Sequence, residues 1–202
     1  VFDYINNKNI QINLDKALTL KENAEKYYKS YNKSKQTQNK AQKYLDELEQ
    51  QISYYEQINY SINIAENIDE LNEIEEEIIP KTNNNGKNQK QTAEILKITD
   101  ENYTIWMGKN NKQNDYIVSK IGKDDDLWFH VHNCAGSHIL LRTNEINDTL
   151  ILKCAQLAKK YSSCANSSKI GIIYTKFKNI KKPPKSNLGY VTYSSEKEII
   201  LD

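Results

Sequence analysis

One uninterrupted helical pattern constrains this chain more than any other feature. From Thr19 to about Ile64 no Pro or Gly interrupts the sequence, and one seven-residue frame repeats apolar residues at two of its positions. The first set is Ala24, Tyr31, Leu45 and Ile52, and the second is Tyr27, Ala41, Leu48, Tyr55 and Ile62. Such a heptad pattern predicts a coiled-coil helix, roughly 65 Å long at 1.5 Å per residue.

Short polar motifs predict where two helices begin. Thr19 is followed three residues later by Glu22, the spacing of a capping box in which each side chain binds the other residue's backbone N–H. Asn67 and Glu70 repeat that spacing. The second helix carries apolar residues that can pack back on the first, namely Ile68, Leu71, Ile74 and Ile78. We therefore expect an antiparallel helical hairpin.

The second helix of this hairpin is strongly acidic. Its carboxylates, for which the hairpin offers no Lys or Arg nearby, are Glu66, Asp69, Glu70, Glu73, Glu75, Glu76 and Glu77. Charge runs of this kind usually form a solvated face that keeps a helix soluble. A tip that contacts a basic protein is the functional alternative, and the sequence leaves both open.

Beyond the hairpin the hydrophobic period changes to two. We divide the chain into a leading segment at 1–17, a coiled-coil arm at 18–80 ended by Pro80, a polar linker at 81–93 and a second domain at 94–202. Strands are predicted at 94–98, 103–107, 115–121, 127–133, 137–142, 170–174, 188–193 and 197–201. One amphipathic helix, "DTLILKCAQLAKKYS" with Asp148 as its cap, interrupts them. The predicted fold class is α+β, with a largely antiparallel sheet and one main helix.

Composition agrees with an exposed arm and excludes some functions. A charged fraction of 27% and a mean hydropathy of −0.81 are too polar for one compact globule. The net charge of +1 gives no global attraction to a partner. Cys134, Cys154 and Cys164 form an odd set without a CxxC pair, which favours reduced cysteines over a disulfide framework. No apolar run approaches the length of a membrane span.

The stretch "DDDLWFHVHNCAGSHILLR" holds all three histidines, His130, His132 and His138. Hydrogen-bonded structural histidines and a binding surface with Trp128 and His130 as stacking faces both remain open. A zinc site or a nucleophilic Ser137 is formally available. Because no further ligand, oxyanion hole or orienting carboxylate has a recognisable spacing, we predict no catalytic residue, no metal and no cofactor.

Two basic segments indicate RNA. "GKNNKQND" at 108–115 is predicted to be a tight polar loop, and the segment from Lys169 to Lys185 contains six lysines and no acid. Tyr174 and Phe177 are interleaved with these lysines. Lysines with aromatic neighbours are the expected footprint of an RNA-binding surface. A lysine-rich edge strand that discourages aggregation is the alternative.

The motifs together resemble the NFACT family. "GKNNKQNDY", "DLWFH", "GSHILLR", "NSSK" and "KNIKKP" leading to "GYVTY" occur in this order in the NFACT-R domain, and "NLDKALTLKENAEKYYKSYNK" is similar to the start of that family's coiled coil. The family's N-terminal lobe and helix-hairpin-helix segment are absent, and the chain begins at Val1, so we expect a fragment. His132 departs from the family pattern, which usually has Lys there, and Ala135 and Ala165 replace a usual Pro and Arg.

The resemblance implies ribosome-associated quality control, in which family members bind obstructed large ribosomal subunits and recruit tRNA for C-terminal alanine tailing. We therefore expect a cytoplasmic, non-enzymatic module whose partners are the large subunit, tRNA and ribosomal RNA, with a dimer through the arm also compatible with the pattern. The predicted RNA-binding residues are Lys109, Asn110, Gln113, Asn114, Trp128, His130, Ser137, His138, Arg142, Lys176, Lys178, Lys181, Lys182 and Lys185. The alternatives are a surface fibronectin-binding adhesin and a His-based metalloenzyme.

Overall fold

A computed structural model describes residues 1–79 and 95–202, which form two compact units at 1–50 and 51–202. The helices are α1 (Leu20–Ile64), α2 (Ile68–Ile78), α3 (Asn111–Tyr116) and α4 (Asp148–Lys160). The strands are β1 (Phe2–Asp3), β2 (Lys8–Asn9), β3 (Leu96–Thr99), β4 (Tyr103–Met107), β5 (Leu127–Val131), β6 (Ile139–Thr143), β7 (Ile170–Lys176), β8 (Ile180–Lys181), β9 (Thr192–Tyr193) and β10 (Lys197–Leu201). A long helix and a second helix followed by an antiparallel sheet domain confirm the predicted α+β class. Pro80 and the predicted linker lie outside the described residues.

The first unit begins with the β1–β2 hairpin and continues into α1 through the predicted capping box. The backbone N–H of Thr19 donates to Glu22 Oε2 at 2.7 Å, and that of Glu22 donates to Thr19 Oγ1 at 3.3 Å. Asn23 is buried behind this cap, where its side chain accepts from the backbone N–H of Asp15 at 2.8 Å. These bonds fix the point at which the helix starts.

The apolar seam of α1 has the predicted period but remains exposed within the described residues. Tyr31, Leu45, Leu48, Ile52 and Tyr55 are between 41% and 64% exposed. Nearer the end of α1, in the second unit, Ile58 and Tyr60 are buried. The described part of the chain contains no helix long and apolar enough to cross a membrane.

The apolar face of α2 packs less than its sequence predicts. Ile74 is 3% exposed, whereas Ile68, Leu71 and Ile78 are 39–70% exposed. Asn67 caps the helix as predicted, accepting from the backbone N–H of Glu70 at 2.9 Å. Polar contacts therefore contribute much of what holds α2 in place.

A six-stranded antiparallel sheet forms the centre of the second unit. Its strand order is β10-β7-β5-β6-β4-β3, so β5 lies between β6 and β7. Alternation along β5 sends Phe129 to the face covered by α4 and Trp128 to the opposite face. The first face builds the main core with Leu141, Ile172 and Ala155, all nearly inaccessible to solvent.

The predicted strand at 115–121 is wrong, because this segment is helical. Asn110 caps α3 by accepting from the backbone N–H of Gln113 at 2.9 Å, and a wide-turn π-helix continues over Ile117–Ile121. The π-helix packs Ile117 and Ile121 on the Trp128 face of the sheet. Two apolar residues four apart fit both a strand and a wide helical turn, so the alternation was ambiguous.

Other predictions near the sheet need smaller corrections. The strand predicted at 188–193 is reduced to β9, which pairs with β8 outside the main sheet. Asn147 rather than Asp148 caps α4, accepting from the backbone N–H of Leu150 at 2.8 Å. Asp148 is instead the first helical residue. Both side chains can cap a helix, so composition alone did not choose between neighbours.

The prediction of reduced cysteines is wrong for one pair. Cys134 and Cys164 form a disulfide across 30 residues, joining the turn before β6 to the loop after α4. These two loops also share a bridge between Gly136 and Ser162. Cys154 remains a buried thiol, and burial raises its pKa to about 12. Only the fold brings the two paired cysteines together, since nothing in their spacing distinguishes them.

Candidate nucleic-acid interface

Three of the motifs that resemble the NFACT-R domain, "DLWFH", "GSHILLR" and "GYVTY", meet on the Trp128 face of the sheet; with "GKNNKQNDY" they are called the signature motifs below. The rings of Trp128 and His130, two residues apart on β5, are parallel within 6° with centroids 5.7 Å apart. The His138 ring stands edge-on to Trp128 at 5.1 Å and to His130 at 5.2 Å. Tyr193 from β9 lies 5.7 Å from Trp128. Four aromatic rings thus form one compact cluster.

The Trp128 and His138 rings of this cluster lie inside the protein, whereas Tyr193 at its edge is 37% exposed. Trp128, Ser137 and His138 are 1%, 1% and 4% exposed. Burial lowers the pKa of His130, and it lowers the pKa of His138 well below the ordinary histidine value. Both imidazoles are therefore neutral near pH 7 and add no positive charge for a phosphate. The buried Trp128 ring offers no open face on which a nucleobase could stack.

Asn114 connects the motif "GKNNKQNDY", to which it belongs, with the motif "GSHILLR". Its Oδ1 accepts from the backbone N–H of His138 at 3.0 Å, and its Nδ2 donates to the carbonyl of Gly136 at 3.4 Å. A Cβ at Gly108 would lie 2.4 Å from the same Oδ1, which explains why a glycine stands there. "GKNNKQN" and "GSH" are therefore fitted to each other, and Asn114 is fully engaged inside the protein.

Arg142 is committed to an internal ion pair. Its Nε donates to Asp126 Oδ1 at 2.9 Å and its Nη2 to Asp126 Oδ2 at 2.6 Å, while Nη2 also reaches the carbonyl of Ile121 at 2.8 Å. The guanidinium lies 4.7 Å from the ring centroid of Trp106. A bidentate pair with a buried carboxylate leaves Arg142 little capacity for RNA.

The acidic residues of α2, with Glu66 just before it, bind α3 and the two residues that precede α3. Lys109 Nζ contacts Glu66 at 2.9 Å and Glu70 at 3.2 Å, and Lys112 Nζ contacts Glu76 at 2.8 Å. The amide contacts are Asn110 and Gln113 to Glu73, at 2.9 and 3.1 Å, and Asn111 to Glu77 at 3.0 Å. The acidic run therefore has an internal partner, which neither interpretation of its sequence foresaw.

Electrostatics in this contact favour the charged lysine. Burial opposes the charged form of Lys109, but its hydrogen bonds with Glu66 and Glu70 outweigh burial and hold its pKa above the ordinary value. Burial raises the pKa of Glu77 despite the hydrogen bond from Asn111. Three predicted RNA-binding residues, Lys109, Asn110 and Gln113, are thus occupied by carboxylates of the same chain.

The lysine segment divides into paired and unpaired members. Lys182 contacts Asp115, whose Oδ1 also accepts from the backbone N–H of Gly189 at 3.2 Å. Lys176 lies 3.4 Å from the exposed Asp125. The remaining predicted lysines are exposed and make no ion pair among the described residues; they are Lys178, Lys181 and Lys185. These three side chains remain available to an external anion.

The three histidines considered above as zinc ligands do not meet at one point. His132 lies apart from the aromatic cluster, with Nδ1 2.8 Å from Glu198 Oε1. Within residues 1–79 and 95–202 there is no group of three or more His, Cys, Asp or Glu side chains that could hold a metal ion. The zinc hypothesis therefore has no geometric support in the described part of the chain.

Two protein-family models match this chain, one on each side of residue 94. Residues 94–193 match the NFACT protein RNA binding domain, and residues 1–94 match the NFACT N-terminal and middle domains. The chain belongs to the NFACT family. Its relatives include RqcH from Bacillus subtilis (strain 168), named an Rqc2 homolog, which is 30% identical over 95% of this chain. RqcH from Streptococcus suis is 32% identical over 98%.

The NFACT match extends to smaller relatives and to a solved structure. The coiled-coil domain-containing protein 25 homolog of Dictyostelium discoideum is 32% identical over 52% of this chain and 53% of its own length. The C-terminal structure of the fibronectin/fibrinogen-binding protein from Streptococcus suis has a TM-score of 0.77 at 28% identity, covering 90% of this chain and 76% of that one. The chain spans about a third of the RqcH relatives' length, 35% in Bacillus subtilis.

Several residues of this NFACT domain carry structural roles that the sequence analysis missed. Gln57 of α1 accepts a hydrogen bond from the backbone N–H of Gly136 at 2.7 Å, and Glu73 accepts from the side chains of Asn110 and Gln113. One signal was present: the run from Glu66 to Glu77 is rich in carboxylates, and "KNNKQ" at 109–113 is rich in lysine and side-chain amides. Complementary composition across a linker could have suggested that these segments bind each other.

Proposed function

We propose that this chain is the RNA-binding part of a ribosome-associated quality control factor. Its RNA contacts are made by charge rather than by stacking. The observation that carries the proposal is the trio Lys178, Lys181 and Lys185, exposed and without ion pairs among the described residues of the matched RNA-binding domain. Lysines neutralise phosphates and release counterions, which supplies affinity without reading sequence.

The aromatic cluster has a supporting task in this proposal. Trp128 and His138 fill the sheet face beneath β9, and Tyr193 packs against Trp128. Asp115 contacts Lys182 and accepts from Gly189 at 3.2 Å, so it anchors the loop that displays Lys185. The motifs that resemble a binding site therefore act as a framework for the exposed lysines.

The partners follow from the RqcH relatives. We propose that the intact protein works in the cytoplasm on obstructed large ribosomal subunits, contacts tRNA and ribosomal RNA, and supports alanine tailing. In this proposal the chain's own contribution is positioning, with the exposed lysines holding RNA in place. Positioning two reactants can itself supply much of a rate enhancement.

Co-sedimentation with obstructed large subunits tests this function. The variant Lys178→Glu/Lys181→Glu/Lys185→Glu should lose most subunit binding at physiological salt. The matched control Lys153→Glu/Lys159→Glu/Lys160→Glu makes the same charge change on α4, which covers the other sheet face. It should retain binding. Equal losses in both variants, or no binding by the unaltered chain, would contradict the proposal.

A second candidate is binding to fibronectin at a cell surface. The similar Streptococcus suis structure is that of a fibronectin/fibrinogen-binding protein, and disulfides such as Cys134–Cys164 persist mainly in oxidising environments. Surface binding assays with immobilised fibronectin, with and without reductant, test this candidate. Saturable binding that depends on the disulfide would favour it, and absence of binding would dismiss it.

A further inference from the structure

α3 and the two residues before it, Lys109 and Asn110, present to α2 a face that can hold oxyanions; this is called the α3 face below. Lys109 and Lys112 supply ammonium donors, and the side-chain amides of Asn110, Asn111 and Gln113 supply N–H donors. Every one of these five donors points at a glutamate of α2. Carboxylate and phosphate oxygens are interchangeable for such donors, since both accept charge-assisted hydrogen bonds.

We propose that this α3 face, Lys109 to Gln113, is a second RNA-binding surface, and that α2 occupies it as an internal competitor. The inference rests on the proposed function, because it takes the phosphates of RNA as the competing ligand. While α2 packs on the α3 face, its glutamates lie where phosphates would bind. RNA that already contacts Lys178, Lys181 and Lys185 would gain further contacts when α2 moves away.

The anchoring of α2 suits a displaceable element. Only Ile74 of its four predicted packing residues is fully buried, while the others are 39–70% exposed. Glu66 and Glu76 are 76% and 34% exposed at their side chains, so water and salt can reach these two ion pairs. Ion pairs of this kind contribute little net stability. Glu70 and Glu73 are more deeply placed and give the contact its specificity.

The competition between the α2 carboxylates and RNA phosphates depends on chain connectivity as well as on charge. Because α2 lies in the same chain, its carboxylates act at a high effective concentration, and a single phosphate cannot displace them. An RNA strand that makes several phosphate contacts at once can displace these carboxylates. This arrangement would select multivalent RNA over short or isolated anions, and it requires no change in the sheet.

Neutralising the three glutamates that contact Lys109 and Lys112 tests the inference. The variant is Glu66→Gln/Glu70→Gln/Glu76→Gln, which keeps the buried Glu73. Its control is Asp69→Asn/Glu75→Gln/Glu101→Gln, three exposed carboxylates with the same total charge change. Binding of single-stranded oligouridine of about 12 nucleotides is measured for both, after circular dichroism has established equal helix content.

The test variant should bind oligouridine roughly fivefold to tenfold more tightly than the control, which carries the general charge effect. Adding Lys109→Gln/Lys112→Gln should remove that gain. In the test variant itself, which keeps both lysines, RNA should protect Lys109 and Lys112 from acetylation. Equal affinities of test and control variants, with RNA binding intact, would overturn the internal competitor alone. Absence of RNA binding by the unaltered chain and by every variant would overturn the proposed function together with this inference.

Discussion

Gln57 and Gly136, 79 residues apart in sequence, are joined by a 2.7 Å hydrogen bond in which the glutamine Oε1 accepts from the glycine N–H. The bond ties the last turns of α1 to the turn before β6. That turn also binds Asn114 through the Gly136 carbonyl. One side chain of the long helix is thus part of the framework around the signature motifs.

Removing this acceptor should destabilise the second unit. We expect Gln57→Ala to lower the free energy of unfolding by about 1–3 kcal/mol, because the Gly136 N–H loses its partner in a partly buried position. Urea unfolding followed by tryptophan fluorescence measures the change. Gln51→Ala, at an exposed position of the same helix, is the control and should alter stability by less than about 0.5 kcal/mol.

The ion pair between Arg142 and Asp126 gives a second prediction. We expect Arg142→Gln to cost about 2–4 kcal/mol of unfolding free energy, because it leaves a carboxylate that is 4% exposed without its charged partner. Lys120→Gln, which removes an exposed charge in the π-helix segment, should be nearly neutral. If Arg142→Gln were as stable as the parent but bound RNA less well, Arg142 would instead be an RNA contact.

The buried histidines predict a pH dependence of stability. Burial lowers the pKa of His130 and His138 in the folded state, so below about pH 6.5 the unfolded chain binds protons that the folded chain does not. The free energy of unfolding should therefore fall as pH decreases from about 6.5, by at most about 1.4 kcal/mol per pH unit for each histidine.

Denaturant unfolding between neutral and mildly acidic pH checks this slope. His138→Gln should flatten it, even if the variant is less stable throughout. His132→Gln, at a partly exposed residue that faces Glu198, is the matched control and should leave the slope from the two buried histidines in place. An unchanged slope in His138→Gln would show that this side chain titrates normally.

The disulfide between Cys134 and Cys164 closes a 30-residue loop. When it is oxidised it should contribute about 3–4 kcal/mol to the free energy of unfolding. Reductant should lower the free energy of unfolding of the parent chain by that amount. The variant Cys134→Ser/Cys164→Ser should be insensitive to reductant, and thiol titration should find one reactive group on unfolding, Cys154. Three titratable thiols in the oxidised parent chain would contradict the pairing.

Local chemistry made some features predictable from sequence. Thr19 with Glu22 and Asn67 with Glu70 act within four residues, so their spacing was enough to place two helix starts. Alternation around Trp128 likewise predicted β5 correctly. The helical segment around Ile117 was missed because its burial, rather than its own pattern, selects the helix.

Features that depend on distant parts of the chain could not be predicted from local spacing. Pairing of Cys134 with Cys164 requires two loops that the finished sheet brings together, and pairing of Glu73 with Gln113 requires α2 to pack against α3. The family resemblance identified the important motifs but not their exposure. Trp128 and His138 therefore stood among the predicted RNA-binding residues, although the structure places both inside the protein.

Salt dependence of RNA binding tests the central claim, that exposed lysines bind RNA by charge over a buried aromatic framework. Affinity for oligouridine should fall linearly on a double-logarithmic scale with added salt. Lys178→Glu/Lys181→Glu/Lys185→Glu should reduce the slope by about 2, at roughly 0.7 per lost phosphate contact, whereas Lys153→Glu/Lys159→Glu/Lys160→Glu should leave it unchanged. Affinity that is indifferent to salt, or a slope that survives the first substitution, would contradict the account.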